Sequence, residues 1–198
     1  PATALAHKNH LGLLQATRKL ALDGIRFHVI MTGSRIEEIG GDEPVDNATV
    51  ETARKYYIEH QEVLSKMVSF RTARDSDELA QLYRKAHRVI LPTKYEGFGL
   101  PLLEAISHGT RVLCSTIPQF REQVDRYHCQ SWVKFFDGND PNSIAGSIKE
   151  ALIEPENPLA IPEVENKLAK WQWKDSALSY LTLFEELETA FTNRLVAT

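Results

Sequence analysis

The chain has 198 residues, enough for one domain with a substantial core. Hydrophobic residues make up 42% and charged residues 25%, a globular balance that excludes a disordered or low-complexity chain. A formal net charge of −4 excludes a chain-wide preference for nucleic acid or an anionic membrane, leaving only a local basic pocket open.

In chain order, a turn leads into a helix from Asn9 to Leu22, with Leu11, Leu14, Ala16, Leu20 and Leu22 near one face. A strand is expected over 26–32 and a long polar-faced helix over 47–66, opened by good capping residues. A strand at 67–70 is followed by a helix over 75–86, where Leu79, Leu82, Tyr83 and Ala86 recur at helical spacing. The strand 88–92 precedes a short helix from Leu100 to His108 that stops at Gly109. Strands at 111–114 and 132–135 follow. Asp140-Pro141-Asn142 then caps a helix running to Ile153, with proline in its first turn. Glu154-Pro155-Glu156-Asn157-Pro158 breaks the alternation, and Trp171-Gln172-Trp173-Lys174 starts a long terminal helix whose tryptophans are expected to pack.

Several strands are nearly apolar throughout, as parallel strands covered on both faces are. Strand and helix taking turns predicts an α/β fold with a doubly wound, Rossmann-like parallel sheet, one domain over 1–198. Such a unit opens on a strand, whereas this sequence opens on a helix, so a first strand is expected ahead of it. Cys114 and Cys129 have no metal-ligand spacing, and Cys114 in its apolar run reads as a buried, reduced thiol, usage that suits the cytosol. No stretch reaches the ~20 apolar residues of a membrane span.

The segment with chemistry runs from Ile90 to Glu104. A buried strand ends where open α/β sheets place ligands. A loop with Gly97 and Gly99 follows, letting backbone approach a ligand closely. Pro101 then sits in a first helical turn, so the amides of Gly99 to Leu103 are expected to point out of a helix N-terminus, which attracts phosphate. Glu96 lies before that end and Glu104 about one turn inside it. Carboxylates accept from vicinal hydroxyls, so the arrangement suits phosphates flanked by hydroxyl-bearing rings, as in a nucleotide-diphosphate sugar.

Glu96 and Glu104 are separated by seven residues, and the run resembles the E-x7-E signature of retaining GT-B glycosyltransferases, especially family 4 (group 1). His7-Lys8-Asn9-His10, Asp77 to Ala86, Gly109-Thr110-Arg111-Val112-Leu113 and the tryptophan-led terminal helix resemble the same family. The resemblance covers nearly the whole chain. It implies the donor-binding half of a GT-B fold, with a long C-terminal helix and a separate N-terminal acceptor-binding domain ahead of it.

By that resemblance, Glu96 contacts the transferred sugar, Lys8 neutralises the donor diphosphate, and Glu104 takes the ribose hydroxyls. Gly97, Phe98, Gly99 and Leu100 meet the phosphate or sugar, Gly33 and Ser34 line the same pocket, and Arg71 and Thr72 meet the base. The implied reaction is sugar transfer with retention, in polysaccharide biosynthesis, with no cofactor and no obligatory metal. Implied partners are the nucleotide sugar and the acceptor domain, with no nucleic acid. The place is the cytoplasm or the inner face of the membrane, any membrane contact being made through the acceptor domain. This half alone is expected to be inactive. Arg71 stands where the family has glycine, and Arg111 where proline is common.

Other readings weigh less. A non-catalytic nucleotide-sugar-binding module acting with a partner chain shares the same site. His7 and His10 lack acidic or cysteine neighbours for a metal. A dinucleotide oxidoreductase needs a third glycine where Leu102 stands.

Overall fold

The computed structural model of the chain describes residues 4–73, 75–155, 157–169 and 173–196, with the side chains of 192–196 left aside. The five branched-residue runs form five short strands, β1 (Val29–Thr32), β2 (Val68–Arg71), β3 (Val89–Leu91), β4 (Val112–Ser115) and β5 (Val133–Phe136). All pairings are parallel, with Val29 beside Val68, Val89 beside Val112, and Val112 beside Val133. The strands lie in two groups, β1–β2 and β3–β4–β5, with no ladder between β1 and β3. The α/β architecture with parallel sheet and long terminal helix is as expected, but the sheet is divided.

Nine α-helices connect and follow these strands among the described residues. They are α1 (His10–Leu22), α2 (Ala48–Glu59), α3 (Gln61–Leu64), α4 (Ser76–Lys85), α5 (Leu100–Ser107), α6 (Pro118–Arg126), α7 (Pro141–Ile153), α8 (Ile161–Leu168) and α9 (Trp173–Val196). Side-chain caps start three of them. Asn47 accepts from the Thr49 and Val50 amides, Asp75 from the Glu78 amide and Asp140 from the Asn142 amide.

The helix expected over 47–66 breaks at His60, whose φ of −117° leaves the helical region, so α2 and α3 are separate. Two helices were not foreseen, α6 and α8, and both begin with proline in the first turn.

The core has two apolar clusters. One joins α1, β1, α2 and α7 and takes in Leu113 and Phe136 from β4 and β5. The other gathers β3, β4, α5, α6 and α8 around Phe120, Leu102 and Ile106. Cys114 and Cys129 are buried free thiols within the second, and burial pushes the Cys129 thiol up to about 11 and the Cys114 thiol further still.

The terminal helix departs from expectation. Trp173 is 92% exposed, and Leu178, Leu181, Phe184, Leu187 and Phe191 are exposed along α9. No described residue covers this face, so the expected packing of Trp173 is not met. Trp171 lies outside the described residues. No helix among those described is long and apolar enough to cross a membrane.

Candidate functional site

The segment 4–9 crosses the carboxyl ends of the strands and is pinned there by backbone groups that the sheet leaves free. The Ala4 amide donates to the Ser34 carbonyl after β1 (3.0 Å), and the Lys94 amide after β3 donates to the His7 carbonyl (2.8 Å). Asn9 takes a left-handed φ of 56° that asparagine tolerates, and its side-chain amide donates to the carbonyls of Pro92 (3.0 Å) and Gly138 (2.7 Å). Gly12 leaves room for that amide: a Cβ there would fall 2.8 Å from Asn9 Nδ2. One side chain thus ties the loop before α1 to the loops after β3 and β5.

Held this way, Lys8 meets Glu96 although 88 positions separate them. Lys8 Nζ lies 2.7 Å from Glu96 Oε1, and the two side chains are only 13% and 12% exposed. Such a shielded, charge-assisted contact is firmer than a surface ion pair. Both residues, with Thr93, Arg71 and the end of β1, border a cavity of about 430 Å³.

The loop after β3 is seated on α6. Gly99 has φ 86°, and a Cβ would fall 2.6 Å from the Phe120 ring, so conformation and space both require glycine. Gln123, itself buried, donates its side-chain amide to the Phe98 carbonyl. A Cβ on Gly97 would meet no protein atom within 4 Å, so its missing side chain serves open space beside the site rather than packing.

Among the described residues no side chain caps α5, and Pro101 brings no amide to its first turn. The Leu102 amide already donates to the Gly99 carbonyl (3.1 Å), so it is not available to a ligand as the sequence reading expected. At this end stand the amides of Phe98 and Gly99, ahead of the helix, and of Leu100, its first residue. Phe98 and Leu100 are 49% and 58% exposed, so this end is open to solvent.

Glu104 is placed differently from Glu96. Its Oε2 accepts a 2.7 Å hydrogen bond from the Tyr83 hydroxyl of α4, and it does not border the cavity shared by Lys8 and Glu96. Tyr83 is buried, and burial followed by this carboxylate pushes its phenol well above the ordinary tyrosine value. His108, the C-cap of α5, stacks on Tyr83 with ring centroids 5.5 Å apart, and burial followed by the Arg84 charge lowers its pKa.

The remaining expected residues gather at the ends of β1 and β2. The Gly33 carbonyl lies 3.1 Å from the Thr72 hydroxyl, and the Ser34 carbonyl is the acceptor for Ala4. Thr72 gives both its amide (2.7 Å) and its hydroxyl to Glu37, which holds that carboxyl below the usual range. The Arg71 guanidinium pairs with Glu78 at the start of α4. Three supporting contacts were missed by sequence reasoning: Tyr83 on Glu104, Gln123 on the Phe98 carbonyl, and Glu37 on Thr72. Only Tyr83 left a trace there, as an apolar-face residue of its helix. His7 packs edge-on against Tyr95, and His10 is buried.

The pattern of the family described as "Glycosyl transferases group 1" matches residues 2–167. "O-antigen chain mannosyltransferase B" of Escherichia coli is 31% identical over 147 residues, covering 73% of this chain and 34% of that protein. "D-inositol 3-phosphate glycosyltransferase" of Corynebacterium urealyticum is 29% identical over 127 residues, covering 64% of this chain and 29% of that protein. The chain therefore spans about a third of the length of these relatives. The sucrose-phosphate synthase structure from Thermosynechococcus elongatus superposes with a TM-score of 0.70 over 96% of this chain and 44% of that one, at 23% identity. That likeness is one of fold.

Proposed function

From the chain's membership of the group 1 glycosyltransferases, we propose that it is the donor-binding half of a retaining transferase that takes a nucleotide-diphosphate sugar. The observation that carries this reading is the Lys8–Glu96 pair at the carboxyl edge of β3, beside an uncapped helix start.

An ammonium has three donors, so Lys8 can keep its bond to Glu96 and still donate to a phosphate oxygen. Glu96 fixes where that charge stands, and its second oxygen is left to accept from sugar hydroxyls. The amides of Phe98, Gly99 and Leu100 add partial positive charge on the same side. When the bond from the anomeric carbon to the diphosphate breaks, its electron pair moves onto the leaving oxygen. Lys8 and these amides then meet more negative charge than in the ground state, so they favour the transition state. The acceptor oxygen bonds to the carbon on the face the diphosphate left, and its proton passes to the departing diphosphate oxygen, which has taken the electron pair of the broken bond. Glu104, oriented by Tyr83, takes the vicinal ribose hydroxyls at the nucleoside end.

The roles of the two glutamates separate in the longer protein. Glu104→Ala is expected to weaken donor binding, whereas Glu96→Ala lowers turnover more than affinity. Equilibrium titration and steady-state turnover with one nucleotide sugar distinguish them, and unchanged affinity in Glu104→Ala contradicts the assignment. A non-catalytic module would bind the donor without turnover in the longer protein.

A further inference from the structure

Gln123 is a polar side chain in an apolar place. It shares a face of α6 with Phe120 and is only 2% exposed. Its Nε2 donates to the Phe98 carbonyl, yet its Oε1 is buried with no hydrogen-bond partner among the described residues. An orphaned buried acceptor lowers stability. Methionine, apolar and of similar length, would fill the same place without that loss. Packing alone therefore does not account for glutamine here; what it adds is the bond to Phe98.

That bond sets the direction of a peptide plane. The Phe98–Gly99 peptide is trans, so its carbonyl and its amide point to opposite sides. With the Phe98 carbonyl drawn inward to α6, the Gly99 amide faces outward, between the exposed residues Phe98 and Leu100. Gly99 itself is buried, and its amide has no acceptor among the described residues. A shielded donor of this kind calls for a partner. Glycine takes φ of either sign. Without the bond, the plane can turn over from the observed Gly99 φ of 86° and present a carbonyl where the amide now stands. An outward amide attracts a phosphate, and an outward carbonyl repels it.

We propose that Gln123 is a positioning residue for the donor diphosphate: bonded to the Phe98 carbonyl from the core side, it holds the Gly99 amide outward, toward the phosphate oxygens. It touches no ligand itself. The orphaned Oε1 is the consequence of keeping a donor in that buried position. This inference rests on the donor reading above and adds to it a residue that acts from beneath the loop.

The test titrates the chain with UDP, GDP, ADP and TDP and with their nucleosides, in the wild type, Gln123→Met and Gln123→Glu. Gln123→Met removes the donor and the orphaned acceptor together. It is expected to melt no lower than the wild type, while affinity for the bound diphosphate falls about tenfold and affinity for the nucleoside is unchanged. Gln123→Glu, read at a pH where the introduced carboxyl is ionised, puts an acceptor where the donor stood and draws the Gly99 amide inward. That amide is then expected to exchange with solvent ~10-fold more slowly than in the wild type, the opposite of what a loosened loop gives. Undiminished diphosphate affinity in both variants overturns the proposal. So does unchanged or faster Gly99 exchange in Gln123→Glu, even where the wild type binds a diphosphate. So does an equal loss of diphosphate and nucleoside affinity in Gln123→Met, the mark of a merely structural residue. Binding of none of the four diphosphates by the wild type overturns the donor reading, and this inference with it.

Discussion

Tyr83 shows how one buried hydroxyl decides what a carboxylate can do. Its bond to Glu104 occupies one carboxylate oxygen and leaves the other for a ligand. Tyr83→Phe keeps the ring, its packing and its stack on His108 while removing only that donor. Hydrogen bonds to charged groups contribute ~1.5–3 kcal/mol, so denaturant unfolding of Tyr83→Phe should show a loss of that order. Donor affinity should fall as well, less than in Glu104→Ala. Full donor affinity in Tyr83→Phe would separate Glu104's ligand role from this contact. Asn9 acts in a different way, fixing the backbone that presents Lys8 rather than touching a ligand.

At the scale of elements, the loop from Thr93 to Gly99 depends on α6. Phe120 is fully buried against Gly99, and Gln123 next to it holds the Phe98 carbonyl. Phe120→Ala should cost about 3–5 kcal/mol in denaturant unfolding, and the vacated space should loosen the loop that carries Glu96. The start of α2 carries a pH-sensitive contact. Glu51 accepts from both Arg54 and the Val45 amide, and Arg54 also donates to the Gly41 and Asp42 carbonyls. Those bonds hold the Glu51 carboxyl down to about 2. An unfolded glutamate titrates near ~4.3, so this contribution is complete above that pH and is lost as pH falls toward the folded value. The stability difference between the wild-type chain and Glu51→Gln should therefore be constant near neutrality and shrink through the acid range. A difference that persists unchanged at the acid end contradicts this.

The strands were legible because each is a short branched run between turn residues, and all five were found within a few positions. Helices α6 and α8 were not, for physical reasons. α6 buries Phe120, Val124 and the polar Gln123, which blurs its apolar stripe, and α8 buries only Val164 behind a proline-rich approach. In the site, the glycine loop, Pro101 and two carboxylates could be read locally. The meeting of Lys8 with Glu96 could not, because it arises from tertiary closure across the strand ends; family resemblance gave both a place at the donor but not their contact. The Tyr83, Gln123 and Glu37 contacts are likewise products of packing and leave no spacing signal.

At the scale of the molecule, two half-sheets carry one well-formed edge site, and α9 stands uncovered by the described residues. The site residues of α1's approach and of the loop after β3 are joined by hydrogen bonds that close over the carboxyl ends, so the edge is organised even where the sheet is divided. The central claim is that this edge binds the diphosphate of a nucleotide sugar through Lys8. Calorimetric titration of the chain with UDP-, GDP-, ADP- and TDP-sugars, and with the corresponding monophosphates, tests it most directly. The account predicts saturable binding of at least one diphosphate sugar, weaker binding of its monophosphate, and a loss of ~1.5–3 kcal/mol in Lys8→Ala, about tenfold to a hundredfold in affinity. Binding of none of them, or equal affinity in Lys8→Ala, would contradict it.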